Sequence, residues 1–498
     1  MGKFVTPTPP TPRECPKMYE ASKALALSGE YDLVPICEEM LSDCITPIML
    51  LKKLKSVSEH CYLLESAEDT RHWGRYTFLG YEPSWHISCL NGEMCIASPQ
   101  GTRTFQTADP SPHIQEILDT HKSPRVEGLP PFTGGLVGYF AYDYAKYAEP
   151  SLDLGADEHF RDMDLMLFDT VIAFDNYRNK IILIANIPTQ DFDENYKKGK
   201  ERLAQLRELI EAGTPSKFPE SRLCSELTPL FSKEKYMQMV ETAKFHIREG
   251  DIFQAVLSNR FEADYEGSLL GAYRVLRTIN PSPYMFYFSG TEFEIAGASP
   301  ETLVKLKDGV LSAYPLAGTR KRGETDSEDI ALEKELLSNK KELAEHNMLV
   351  DLGRNDLGKI SKFGSVYVEK YLEILRFSHV MHIGSVVCGE ILPDKTGIDA
   401  ITAVLPAGTL SGAPKIRAME IIHALEQNKR GIYGGAIGYL DFTGNMDTCI
   451  AIRLAYKKGG KVYIRSGAGI VADSDPLAEY EECLNKALAM KKSLEAQP

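Results

Sequence analysis

The chain has 498 residues, 43% hydrophobic and 25% charged, the proportions of an ordinary globular protein of about three packing units. A formal net charge of −14 excludes a broad nucleic-acid or anionic-membrane surface, so an anionic small molecule must be held by a local positive site. Ten cysteines without CxxC pairs or zinc-finger spacing predict reduced, mostly buried thiols and a cytoplasmic location.

The opening MGKFVTPTPPTPRECP is rich in Pro and Thr and predicts a disordered tail over residues 1–25. Met1–Thr6 fits a loose myristoylation pattern, but no apolar run has the length of a membrane span or a signal peptide, and no membrane partner is expected. Strand-like runs then follow: CYLLES, RYTFLG, HISCL, LVGYFAYDY, LMLFDTVIAF and the unbroken apolar KIILIANI, which predicts a buried strand. A charged helix, DENYKKGKERLAQLRELIEAG, ends at Gly213. Residues 211–230 carry Pro, Gly and Ser between two periodic segments, which divides an N-terminal domain (26–225) from a second one (231–495).

Ser232 caps the next helix, with Tyr236, Met239, Val240, Ala243 and Ile247 on one stripe and Gly250 closing it. In DIFQAVLSNRFEA, alternation places Phe253, Ala255 and Leu257 on one face and Gln254, Val256, Ser258 and Arg260 on the other. Strands and helices then mix without regular βαβ alternation, which predicts an α+β fold.

Four Gly-rich turns punctuate this half: Pro315–Thr319, Pro406–Thr409, Tyr433–Gly435 and Ser466–Gly469. Glycine lets backbone N–H groups converge on an anion, although any one such turn can be a plain strand connection. Gly467–Ala472 fits G-x-G-x-x-A, but Asp473-Ser-Asp475-Pro476 interrupts before a helix can start, and GTLSGAPK lacks the Gly-Lys-Ser/Thr ending of a phosphate loop. Neither NAD nor ATP is indicated.

Glu342 and Glu345 share one helical face in SNKKELAEHNMLVDL. Asp475 caps a second acidic helix, with Pro476 at its first position and Glu479, Glu482 and Lys486 along one face. That face suits a solvated salt pair, or an oxygen-only site for Mg²⁺, which keeps several waters and bridges to an anionic substrate. His382 lies in the otherwise buried run FSHVMHIGS, as a core histidine or a proton-transfer group. Arg453, read as mid-strand in TCIAIRLAY, requires an anionic partner from the protein or from substrate.

The ordered set PLAGTRKRG, ELAEHNMLVDLGRNDLG, VMH, PAGTLSGAPKIRAME, YGGAIGY, DTCIAIR, SGAGIVADSDP and EYEECLNKA closely resembles the chorismate-utilising enzymes, and within them the anthranilate synthase large subunits, component I. Upstream, LLESAE, GRYTFLG, GGLVGYFAYD and PSPYMFY extend the resemblance over nearly all the chain after about residue 28.

The resemblance implies two large β-sheets in a sandwich with outer helices and a chorismate cleft in the second domain. It assigns Gly318, Thr319, Thr409, Tyr433, Arg453, Gly467, Ala468, Gly469 and Lys486 to chorismate, and Glu345 and Glu482 to Mg²⁺, with Glu479 behind them. Glu342 is the implied acid for the departing hydroxyl, and His382 is tied to loss of pyruvate. Ala317 and Gln254 stand where relatives that form para-amino or hydroxylated products carry lysine. Glu65, Ser66, Arg75, Pro283, Tyr284, Met285 and Cys449 match or border the tryptophan-feedback motif. The chain ends soon after Asn485-Lys486-Ala487 with no amidotransferase domain, so a separate glutamine amidotransferase subunit (component II) is expected, in a heterotetramer. Ammonia adding at ring carbon 2 would give aminodeoxyisochorismate, then anthranilate and pyruvate. Aminodeoxychorismate synthase component I, or a non-catalytic sensor, are the alternatives.

Overall fold

The computed structural model describes residues 29–67, 73–155, 160–218, 220–376 and 380–496. The tail expected over 1–25 lies outside the described residues. Two large antiparallel sheets of 13 and 12 strands are flanked by 11 α-helices among the described residues, an α+β architecture as the sequence predicts.

The first sheet begins with Leu33–Leu41, Lys180–Pro188, Thr170–Asp175, Tyr76–Tyr81 and Cys61–Glu65. It continues through Tyr284–Ser289, Phe293–Ser299, Leu454–Lys458, Lys461–Ile470 and Gln254–Glu266. Strands from both halves of the sequence are therefore neighbours: Met285 stands opposite Glu65. In the second sheet Gly135–Phe140 pairs with Ala436–Asp441. Residues 211–230 even supply short strands, Arg222–Leu223 and Thr228–Pro229, to this framework. That segment separates stretches of sequence, while both sheets run across it.

The two sheets enclose an aromatic layer in which Tyr62 meets Phe168 edge-on at 4.7 Å and Phe132 meets Tyr439 at 4.4 Å between centroids. Each such buried side chain contributes roughly 1.5–3 kcal/mol. The unbroken apolar run of Lys180–Pro188 follows from its place. Ile182 and Ile184 face this inner layer, while Ile181, Leu183, Ala185 and Ile187 face the outer helices. The Phe192–Ala212 helix comes so near that a Cβ on Gly199 would lie 2.5 Å from Ile187 and 2.6 Å from Ile36. The predicted caps are present: Ser232 accepts from Lys235 N–H (3.3 Å) and Asp475 from Ala478 N–H (2.9 Å). The hairpin Glu93–Ser98/Gly101–Gln106 was not predicted, because its outer strand GTRTFQ is exposed and polar.

Candidate functional site

A cleft of about 1710 Å³ opens in the second half of the chain, lined wholly by residues between Ile247 and Ala489. The Gln254–Glu266 and Lys461–Ile470 strands, the Leu316–Lys321 strand and the Lys340–Gly358 and Pro476–Glu495 helices all contribute to its walls.

Gly467 and Gly469 keep this wall open. A Cβ on Gly467 would sit 3.0 Å from the Tyr433 hydroxyl, and one on Gly469 would lie 2.8 Å from Nε2 of Gln254. Ala468, between them, points the other way by strand alternation and is fully buried in the core beneath the helices. Its side chain is therefore not part of the cleft, unlike the rest of the assigned glycine motif.

The Leu316–Lys321 strand slips register against Val380–Glu390 between Ala317 and Thr319, leaving Gly318 as the bulged residue at φ +65°. A Cβ there would meet Leu336 at 2.9 Å and Glu342 at 3.1 Å. Across the bulge Nδ1 of His382 lies 3.0 Å from the Gly318 carbonyl and 3.1 Å from the Thr319 hydroxyl. A carbonyl only accepts, so Nδ1 carries the proton and Nε2 is the basic nitrogen. Burial lowers the imidazole's pKa, the Gly318 contact opposes this, and the Arg453 charge adds to the lowering. Ala317 lines the cleft as a methyl group with no nucleophile.

Glu301, in the turn between the Phe293–Ser299 and Thr302–Lys307 strands, was not among the residues expected from the sequence. It lines the cleft and accepts the Thr409 hydroxyl at 3.1 Å. Burial raises its pKa from 4.5 to about 7, against the pull of Thr409, Arg453 and Lys486. An acidic residue flanked on both sides by buried strands was the available signal. Arg453, expected mid-strand, instead occupies the break between Met446–Ile450 and Leu454–Lys458 at φ +51°. That left-handed backbone interrupts the strand, and Arg453 lines the cleft with Glu301 acting on its charge.

Glu345 on one helix and Glu479 and Glu482 on the other all line the cleft. Burial first, then Glu342 and Glu482, raise the pKa of Glu345; burial and Glu482 do the same to Glu479. Carboxylates gathered from two helices in this way suit a cation between them. No three His, Cys, Asp or Glu side chains among the described residues form a ready ligand group. This arrangement fits an ion such as Mg²⁺, whose shell is completed by water and substrate oxygen. Lys486 makes the salt pair with Glu482 (2.7 Å) and donates to the Gly467 carbonyl (3.2 Å), tying that helix to the glycine wall.

Glu342 is placed otherwise than its spacing suggested. It is not among the cleft-lining residues, and Arg320, which also forks Glu335, holds its Oε1 at 3.0 Å. The stretch AYPLAGTRKRG, expected as a turn, is mostly the bulged Leu316–Lys321 strand, which presents Gly318 and Thr319 to the cleft and turns Arg320 outward onto two carboxylates.

The strand pair joining Glu65 to Met285 also brings the two halves of the feedback motif together, and Ala67 N–H donates to the Ser282 carbonyl at 3.1 Å. Glu65 is held by Tyr273 (2.5 Å) and by a fork from Arg277 (2.5 and 2.9 Å). The Tyr284 hydroxyl bridges the two sheets to Thr302 (2.9 Å) and Asp447 (2.8 Å), beside Cys449. Met285 faces the outer helices instead, and Pro283 lines the catalytic cleft. Arg75, expected to meet a ligand carboxylate, forks Asp175 (2.8 and 3.2 Å).

Residues 59–492 match the family model described as chorismate binding enzyme. The chain is 45% identical to an anthranilate synthase component 1 from Acetivibrio thermocellus, covering 94% of this chain and 97% of that one. It is 45% identical to the component 1 of Acinetobacter calcoaceticus over 93% and 96%. The crystal structure of anthranilate synthase component I from Streptococcus pneumoniae is similar at 41% identity and a TM-score of 0.75, covering 84% of this chain and 92% of that chain. An Escherichia coli isochorismate synthase, 20% identical with a TM-score of 0.68 over 95% and 99%, shares the fold.

Proposed function

The chain belongs to the chorismate-binding enzyme family, in its anthranilate synthase component 1 group, and from that premise we propose that it converts chorismate and ammonia to anthranilate and pyruvate, in the path to tryptophan. The single observation that carries this reading is the cleft in which the half-buried Glu301, His382, Arg453 and a carboxylate-lined mouth converge.

Arg453 and Lys486 supply the local positive charge that a small dianion needs in a chain of net charge −14. The opened glycine wall lets substrate approach the backbone near Tyr433 and Gln254. Glu345 and Glu482, with Glu479 behind them, would hold Mg²⁺, which when bound offers a Lewis acid and template for the ring carboxylate. Glu301, not Glu342, is the acid: protonated near neutrality and inside the cleft, it can give its proton to the 4-hydroxyl as that group leaves as water. Ammonia bonds to ring carbon 2, giving aminodeoxyisochorismate. His382, with Nε2 basic, is the base that takes the carbon-2 proton as the enolpyruvyl C–O bond breaks and the ring becomes aromatic.

Ala317 favours this product over a para-amino one, since no side chain there can attack the ring. The ammonia source is a separate glutamine amidotransferase subunit, in a heterotetramer, and tryptophan bound about Ser66 and residues 283–285 inhibits. Chromatographic analysis of the product from chorismate, Mg²⁺ and ammonium salt tests the reading. An ortho-amino acid with free pyruvate is expected, and a para-amino product retaining its pyruvyl group would overturn it.

A further inference from the structure

Ser385, three residues beyond His382 on the same strand, joins several elements that carry the site. Its backbone N–H donates to the Pro315 carbonyl (3.1 Å), at the entrance to the strand that holds Gly318 and Thr319. Its hydroxyl oxygen accepts from Leu372 N–H (3.1 Å), where the Tyr367–Arg376 strand slips register and Leu372 adopts φ +58°. The same oxygen lies 2.7 Å from Nε2 of His346.

His346 immediately follows Glu345 on the Lys340–Gly358 helix. Successive helical residues are about 100° apart around the axis, so Glu345 borders the cleft while His346 is fully buried against the sheet. Nδ1 of His346 has no hydrogen-bond partner among the described residues. An apolar side chain would fill such a site without an unmet polar atom. The feature that an apolar residue could not supply is the Nε2–Ser385 contact, which fixes both rotation and slide of the helix against the strand that bears His382. Packing alone leaves such freedoms looser, and a metal-binding carboxylate needs its supporting contacts to hold its place.

We propose that His346 is a positioning residue that, through Ser385, sets Glu345 opposite Glu482 and thereby the affinity for the divalent cation. The proposal rests on the assignment of Glu345 and Glu482 to that cation.

Mn²⁺ titration followed by electron paramagnetic resonance, with chorismate present and no ammonium, tests it without turnover. His346→Leu and Ser385→Ala should each weaken Mn²⁺ binding by about tenfold, whereas His346→Gln, whose amide reaches the Nε2 position, should stay within about twofold of the unaltered chain. The double change His346→Leu/Ser385→Ala should weaken it no further than the worse single one, because both remove one shared contact. Lowered Tm with unmoved Mn²⁺ affinity in His346→Leu and Ser385→Ala would overturn the proposal; should His346→Leu fail to fold, Ser385→Ala alone decides. No Mn²⁺ bound by the unaltered chain would overturn the cation assignment, and the proposal with it.

Discussion

The Thr409 hydroxyl donates to Oε1 of Glu301 at 3.1 Å, the one hydrogen bond among the described residues to a carboxyl group that burial has lifted to about 7. One hydrogen bond does not offset the loss of water around a charge, so this group keeps its proton into the neutral range. With a base whose pKa is lowered by burial lining the same cleft, acid and base are both in working form near neutrality.

The rate should therefore fall as pH rises through about 7, where Glu301 loses its proton. Glu301→Gln keeps a group for Thr409 to meet but removes the proton, and should lower kcat by roughly 10²–10⁴-fold with a much smaller change in KM for chorismate. A pH–rate profile of both forms checks this.

The same shift makes a stability prediction of definite sign. A raised carboxyl pKa favours the folded state only while the proton is bound, so this contribution is present in full below 4.5 and lost as pH rises to about 7. The full shift corresponds to about 3 kcal/mol. Glu301→Gln should therefore gain stability relative to the unaltered chain above pH 7 and not below pH 4.5, as read by urea unfolding at the two pH values.

Glu342 provides the contrast. Its ion pair with Arg320 is about a quarter exposed on both sides, and Glu342 stands behind Gly318 without itself lining the cleft. Such a pair contributes roughly 0–1 kcal/mol. Glu342→Gln should leave kcat within about tenfold of the unaltered chain, well above Glu301→Gln. Steady-state kinetics on the two variants distinguishes the two acids.

Two changes near the proposed effector site should part company. Ser66→Leu should abolish tryptophan inhibition while catalysis persists. Arg75→Ala should keep that inhibition, since the guanidinium forks Asp175, and should instead lower Tm modestly, because the buried carboxylate loses that fork and keeps the Tyr177 and Arg178 N–H groups (both 3.2 Å) and the Arg178 guanidinium at 4.0 Å. Inhibition curves together with thermal unfolding measure both.

Much of this was legible from the chain alone. The apolar run ending in Pro188 and the Ser232 and Asp475 caps each have a local cause, so local pattern suffices to find them. Two of the expected glycine turns, Pro315–Thr319 and Ser466–Gly469, instead lie largely in the strands Leu316–Lys321 and Lys461–Ile470. What escaped depends on partners distant in sequence. Glu342 shares the helical face of Glu345 by spacing, yet Arg320 from the preceding strand claims it. Arg453 follows a strand pattern that its left-handed backbone breaks. Glu301 reads as a turn acid until the Thr409 loop and Arg453 close over it. The interleaving of both halves in each sheet, with Met285 against Glu65, has no local signature at all.

The most direct test of the account is anthranilate fluorescence from the purified chain with chorismate, Mg²⁺ and an ammonium salt at a pH near the Glu301 pKa of about 7, repeated with Glu482→Ala and with added tryptophan. The account predicts fluorescence that grows with time, is lost in Glu482→Ala and is suppressed by tryptophan. Unchanged chorismate, or undiminished fluorescence in the presence of a chelator, would contradict it.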